Sequence, residues 1–370
     1  MTAGLISARR ILYGGMHRFP DSDPASVMNR LFCGWVVRDR FNILNHHQPF
    51  VFADIADPIP SPDSTTQISD ICDARAKEII ALGKPITVMW SGGVDSTAIL
   101  SSLLKNGVDK EQLTVAHAPS SVDEYPWFYK HLGDISVKMV LAENLSDFIN
   151  TVADGVIVSG WCADQLFGSN IHLRNLDLYN LPWLDALKQA FKDWGMEFSA
   201  KSYDVLAEVW GGYAKALGVE VERWCEFAWL YNFGFKWSHV SQDTKMSLHT
   251  QEARDRVINF FEDPRFQRWS MGHVGDLREV NVNRYAKFYK RPLKQYIYSY
   301  TNDPDYLFRK GKVNSWALVK DDADFKFVET CDTDGYHAFR DKARPDDPRL
   351  YQLQGAVGKM YLKPEFRDAP

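Results

Sequence analysis

The stretch Ile86-Thr87-Val88-Met89-Trp90-Ser91-Gly92-Gly93-Val94-Asp95-Ser96-Thr97 decides the fold of this chain. Its first five residues are a short apolar run, the pattern of a strand buried on both faces. Two glycines follow. From Val94 to Lys105 the apolar residues then recur at helical spacing, and Asn106-Gly107 supplies a C-cap. Strand, glycine turn and helix together make a phosphate-binding device. Glycines let the backbone approach an anion in conformations that a Cβ forbids. The N–H groups of the turn and of the first helical turn point at that anion, with the helix dipole assisting. Ser91, Ser96 and Thr97 add hydroxyl donors. Asp95 would repel a bare phosphate, and a divalent cation between them resolves the conflict. No Lys follows the second glycine, so this is not the G-x-x-x-x-G-K-[ST] loop. The plainer reading is a capped helix start with Asp95 beside the dipole. Against it, S-G-G-x-D-S arises by chance roughly once in a few thousand chains of this length.

Working outward, Ile68 to Leu82 has helical spacing. Leu113–His117, Val137–Leu141 and Val156–Val158 read as further buried strands, with helices near Glu124–Leu132 and Leu145–Val152 between them. This alternation predicts an α/β fold, a parallel sheet flanked by helices. From Leu181 to Trp237 the spacing is helical throughout, with breaks at Gly195 and Gly218, which gives a large helical C-terminal elaboration. The aromatic-rich run Trp224 to Trp237 reads as core packing rather than a substrate cage.

The expected domain organisation has three parts. Residues 1–65 are a short N-terminal segment, with a β-hairpin over Leu31–Asn45 and a Pro/Ser/Thr/Asp linker over Asp57–Thr66. Residues 66–320 form the main domain, with 66–180 as the nucleotide-binding core and 181–320 mainly helical. Residues 321–370 read as a charged tail.

Composition narrows the class. Lys plus Arg is 43 and Asp plus Glu is 48, for a formal net charge of −5. Binding of nucleic acid through bulk electrostatics is therefore not indicated, although a local basic patch stays open. Cys33, Cys72, Cys162, Cys225 and Cys331 are dispersed and form no C-x-x-C pair, which argues against a disulfide framework or a zinc ribbon. The histidines, including His46-His47, show no zinc spacing. With no long apolar run and no signal-peptide pattern at the start, a cytoplasmic location without membrane partners is expected.

A second motif, Ser159-Gly160-Trp161-Cys162-Ala163-Asp164-Gln165-Leu166-Phe167-Gly168-Ser169-Asn170, follows the strand Val156–Val158, about 68 residues after the first. Together the two resemble the pyrophosphate loop and the S-G-E-G-A-D-E-L-F-G-G-Y segment of the asparagine synthetase and β-lactam synthetase family of N-type ATP pyrophosphatases. The resemblance covers roughly residues 66 to 315 and is concentrated at the motifs. It implies an adenine nucleotide α-hydrolase-like fold and an ATP-dependent, amide-forming ligase. Such an enzyme adenylates a carboxylate, releases pyrophosphate, and passes the acyl group to an amine or ammonia.

By the same resemblance, Asp95 and Asp164 would hold Mg²⁺ on the ATP phosphates. Met89, Trp90, Ser91, Gly92, Gly93, Val94, Asp95, Ser96, Thr97, Val115, Ala116, His117, Gly160 and Trp161 would line the nucleotide site at the strand ends. The family's downstream basic segment looks similar to Lys290-Arg291-Pro292-Leu293-Lys294 and Leu307-Phe308-Arg309-Lys310-Gly311-Lys312. From it Lys310 is expected to act catalytically, with Lys312 as the alternative.

Two departures matter. Trp161 stands where the family has Glu or Tyr, residues that help deprotonate the attacking amine, and indole has no usable base. It could instead stack on a planar substrate or a cation. Gln165 stands where the family has Glu. Glutamine-dependent members begin with a catalytic Cys and a glutaminase domain. Here Thr2 follows the initiator Met, and about 65 residues precede the synthetase-like region, so no glutaminase of its own is expected. A separate ammonia-supplying or substrate-carrying protein is then a candidate partner. The competing readings are a PP-loop enzyme modifying a nucleic acid base or nucleotide, and a catalytically altered ATP-binding homologue.

Overall fold

A computed structural model describes residues 6–7, 50–52, 60–142, 145–168, 176–193, 199–237, 240–241, 250–279, 289–309, 325–332, 335–342, 350–352 and 360–362. Its strands, in chain order, begin with β1 (Ile6–Ser7) and β2 (Phe50–Phe52). Then come β3 (Ile86–Trp90), β4 (Leu113–His117), β5 (Lys138–Leu141), β6 (Val156–Ser159) and β7 (Val257–Asn259). The last four are β8 (Phe325–Asp332), β9 (Gly335–Lys342), β10 (Leu350–Gln352) and β11 (Met360–Leu362). The chain divides into two compact units, one built from Met1–Ser61, Gly168–Met246 and Asp324–Pro370, the other from Pro62–Phe167 and Ser247–Ala323.

The second unit is an α/β layer structure. Its five-stranded sheet has the order β5-β4-β3-β6-β7, and every neighbouring pair is parallel. All of β3 and β6 is buried, as strands covered on both faces require. From β3 the chain steps to β4 and β5 on one side, then returns past β3 to β6. Right-handed crossovers therefore put the helices on opposite faces. The helix Val94–Lys105 packs against Ile68–Ile80 and against Arg291–Thr301. It ends as the sequence suggests, with Gly107 left-handed at φ +78° and Val108 N–H donating back to Leu103 O at 3.0 Å.

Four details differ from the sequence reading. Val137–Leu141, expected as a buried strand, is the edge strand β5, with Lys138 and Leu141 exposed. The single helix expected over Glu124–Leu132 is two, Pro119–Glu124 and Pro126–Asp134. Each opens on a proline, whose fixed φ suits the first helical position, and Tyr125 between them leaves the helical region at φ −147°, ψ 75°. The sheet also gains β7, which pairs Val257 with Ile157 and Ile258 with Val158. Finally, 321–370 reads as a tail, yet four strands lie within it. These join β1 and β2 in an antiparallel sheet, with β8 and β9 paired over their full lengths. The Leu31–Asn45 hairpin lies outside the described residues.

The first unit also carries the helices Trp183–Asp193, Ala200–Leu217 and Trp224–Tyr231, as the helical spacing predicts. Gly218 ends the second of these in the left-handed region, φ +66°, while the break at Gly195 lies outside the described residues. Every residue from Trp224 to Tyr231 is buried, and the Phe227 ring stacks on Trp183 at 4.9 Å, so this aromatic run is core. Glu226, also buried, holds the start of its helix by accepting from the N–H groups of Glu222 (2.6 Å) and Arg223 (2.9 Å).

Candidate functional site

The sheet reverses direction of travel between β3 and β6. In open parallel sheets the crevice at the carboxyl ends of two such strands is where ligands bind. Both sequence motifs leave from those two ends: Ser91–Thr97 follows β3, and Gly160–Asp164 follows β6.

The turn after β3 is held by its own hydroxyls. Ser91 N–H donates to Ser96 Oγ at 3.0 Å, the two serine hydroxyls lie 3.1 Å apart, and Gly93 N–H donates to Ser91 Oγ at 3.3 Å. Trp90 Nε1–H donates to Thr97 Oγ1 at 3.0 Å and ties the strand end to the first helical turn. Gly92 is left-handed at φ +75°, and a Cβ there would lie 2.7 Å from Glu124 Cβ and closer still to the Ser121 carbonyl oxygen. Glycine is thus required twice over, by conformation and by space. Gly93 occupies the N-cap without a side chain to cap with, so the first-turn N–H groups of Val94–Lys105 are left for another acceptor.

The turn after β6 brings the second carboxylate in. Gly160 runs so close to the first motif that a Cβ on it would sit 3.1 Å from Asp95 Cβ. Cys162 then takes a left-handed conformation, φ +72°, uncommon for a residue with a side chain, and turns the chain into the short helix Ala163–Leu166. Behind it, Ser159 Oγ donates to Asn259 Oδ1 at 2.6 Å, which fixes β6 against β7.

At the centre lies Lys290. Its Nζ is 2.6 Å from each carboxylate oxygen of Asp95 and 2.5 Å from Asp164 Oδ1. Tyr289 OH donates to the same Asp164 oxygen at 2.6 Å. The Lys290 side chain is 4% exposed, against 26% and 32% for the two aspartates. Burial alone would lower the affinity of this amine for its proton. The Asp164 and Asp95 charges outweigh burial and raise its pKa above the ordinary lysine value. Lys290 is itself left-handed, φ +54°, as N-cap of Arg291–Thr301.

The sequence placed Lys290 in a basic segment without giving it this role. Lys310, the lysine expected to act, lies outside the described residues with Lys312. Nothing near Lys290 in the sequence signals a partner 195 positions earlier, and the one clue was the lysine's membership of the basic segment.

The other expected site residues divide into two groups. Ser91, Gly92, Gly93, Val94, Asp95, Ser96, Thr97, Gly160, Trp161 and Asp164 come together at the two turns. Met89, Trp90, Val115, Ala116 and His117 lie at or near the ends of β3 and β4, but their side chains are buried. Met89 packs with Ile149, Ile157, Ala253 and Val257. His117 sits edge-on to the Tyr129 ring, centroids 5.1 Å apart, with Nδ1 3.2 Å from Ala118 O. At these strand ends the backbone is what remains to offer a ligand.

The donor set suits a divalent cation. Two hard carboxylates converge on one point, now held by an ammonium, and Mg²⁺ typically takes one or two carboxylates and completes its shell with phosphate oxygens and water. Among the described residues no group of three or more His, Cys, Asp or Glu could hold a metal without such help. Also among the described residues, no helix is long and apolar enough to cross a membrane. Neither a protein-family model nor a curated protein matches the chain, so the functional reading rests on these residues and their geometry.

Proposed function

We propose that this chain is an ATP-dependent ligase of the kind its motifs resemble, one that cleaves ATP to AMP and pyrophosphate to join a carboxylate to an amine. The observation that carries the proposal is the convergence of Asp95 and Asp164. They leave neighbouring strand ends and meet at one cation position, beside a helix start whose N-cap, Gly93, provides no side-chain cap.

In this reading the turn Ser91–Thr97 and the first helical turn bind the pyrophosphate portion of ATP. A substrate carboxylate oxygen attacks the α-phosphorus, the bond to the bridging oxygen breaks, and pyrophosphate leaves. The amine then attacks the acyl carbon, AMP departs, and the amine loses its proton. Asp95 and Asp164 would hold Mg²⁺, which when bound neutralises charge developing on the leaving pyrophosphate. Lys290 keeps the two carboxylates together before that ion arrives and supplies positive charge beside the phosphates afterwards. Trp161 cannot take the amine proton.

The test is incubation with α-labelled ATP, Mg²⁺ and a mixed pool of carboxylates and amines, separating AMP from ADP. AMP that depends on Asp95, lost in Asp95→Asn, is the expected result. ADP as the labelled product would overturn the assignment. ATP bound but not cleaved would favour the catalytically altered homologue.

A further inference from the structure

Trp161 is the one residue at the two turns whose exposure has no structural explanation. It is 38% exposed, while Cys162 and Ala163 beside it are 1% and 0%. Among the described residues, the other exposed tryptophan of this unit, Trp127, lies over the His131 ring, centroids 5.3 Å apart. Trp269 is likewise stacked on His273 at 4.7 Å. Among the described residues Trp161 has no ring, cation or hydrogen-bond partner. An indole left bare in water costs free energy, and here it stands one residue from Gly160, which lies against Asp95, and three from Asp164.

Charge says what would cover it. Asp95, Asp164 and Lys290 sum to one net negative charge, and the face of an indole carries a negative quadrupole. Both attract the same kind of group. We infer that Trp161 is the binding platform for an organic cation, the amine substrate in the protonated form in which it arrives, seated on the indole face by a cation–π contact until it gives that proton to water and attacks as the free amine. This inference rests on the ligase reading for the identity of the cation as substrate, but the contact itself does not. An acceptor held this way is larger than ammonia, since an ammonium ion leaves most of the ring uncovered.

The experiment uses a pair of probes of equal shape. Choline and 3,3-dimethylbutan-1-ol differ in carrying a quaternary nitrogen or a carbon, so only charge separates them. The full chain is labelled with 5-fluorotryptophan, and the Trp161 resonance is assigned from Trp161→Phe. Both probes are then titrated in metal-free buffer. Choline is expected to shift the Trp161 signal saturably, and the neutral isostere is not. A separate ligand-observed titration is expected to show choline binding about fivefold weaker in Trp161→Leu and retained in Trp161→Phe. Equal shifts from both probes would reduce the site to an apolar patch, and no shift from choline would overturn the inference outright. AMP formation is assayed separately: if ATP is not cleaved while choline still binds, the ligase reading fails and the cation platform stands. If AMP forms with amines whose KM is unchanged in Trp161→Leu, the platform fails and the ligase reading stands.

Discussion

Lys290 Nζ lies 2.6 Å from both carboxylate oxygens of Asp95, a residue 195 positions earlier in the chain. Because Asp164 accepts from the same nitrogen, one buried ammonium serves two carboxylates. Removing it leaves two like charges facing each other in a partly desolvated space.

Lys290→Met is therefore expected to destabilise the protein by about 3–5 kcal/mol in chemical denaturation, the usual result of removing one partner from a buried pair. Adding Asp95→Asn removes one stranded charge, so the double variant should regain part of the loss. A loss below about 1 kcal/mol would mean that water screens the pair despite its burial.

Gly92→Ala compared with Gly107→Ala separates conformation from space. Both glycines are left-handed, φ +75° and +78°, but only at Gly92 does an added Cβ meet other atoms. Gly107→Ala should cost about 1–2 kcal/mol from backbone strain alone. Gly92→Ala should cost about 1–3 kcal/mol more, because the clash with Ser121 and Glu124 is added. Equal losses in thermal unfolding would contradict the close packing of the turn.

Asp263 sets an acid limit on stability. Burial opposes its ionisation, but the bonds from the Arg265 side chain and backbone outweigh burial and hold the carboxyl below its ordinary value of 3.8. Arg265 Nε donates to one oxygen at 2.8 Å and a guanidinium nitrogen to the other at 2.8 Å. A carboxyl depressed in the folded state adds stability that is complete above the unfolded value and lost as pH falls through the folded one. Asp263→Asn should thus cost about 1–2 kcal/mol at pH 7 and progressively less below pH 3.8. A pH-independent difference between the two proteins would refute the pairing.

Cys225 should be inert in the native protein. Burial pushes its thiol up to about 12, with the neighbouring Glu226 charge adding to the effect. Since the thiolate is the reactive form, a disulfide reagent at pH 8 should label as many thiols in Cys225→Ala as in the parent. The two should differ by one thiol only after unfolding. A difference before unfolding would place Cys225 at the surface.

Much of the α/β unit was legible because its inner strands β3 and β6 are buried along their whole length. A largely apolar run such as Ile86–Trp90 needs no partner to be recognised, and the glycines after it mark the turn. β7 was not legible: three residues, two of them apolar, carry no period, and their pairing is decided by β6 at a distance. The helix split at Tyr125 could be read only by treating Pro119 and Pro126 as helix starts rather than breaks. The aspartates were visible as types at motif positions. Their shared lysine was not, because local pattern says nothing about which charge folds back onto them.

The hydroxyl bonds within Ser91–Thr97 and the Trp90–Thr97 tie bear on rates of exchange. A turn already held in shape has little left to order when an anion arrives, so the entropic cost of capture is small. Substitutions at Ser91 or Ser96 that loosen the turn should then leave association nearly as fast as before. Their effect should fall on how long a bound ligand stays, and the residence time of a phosphate-bearing ligand becomes the direct reading of how rigid the turn is.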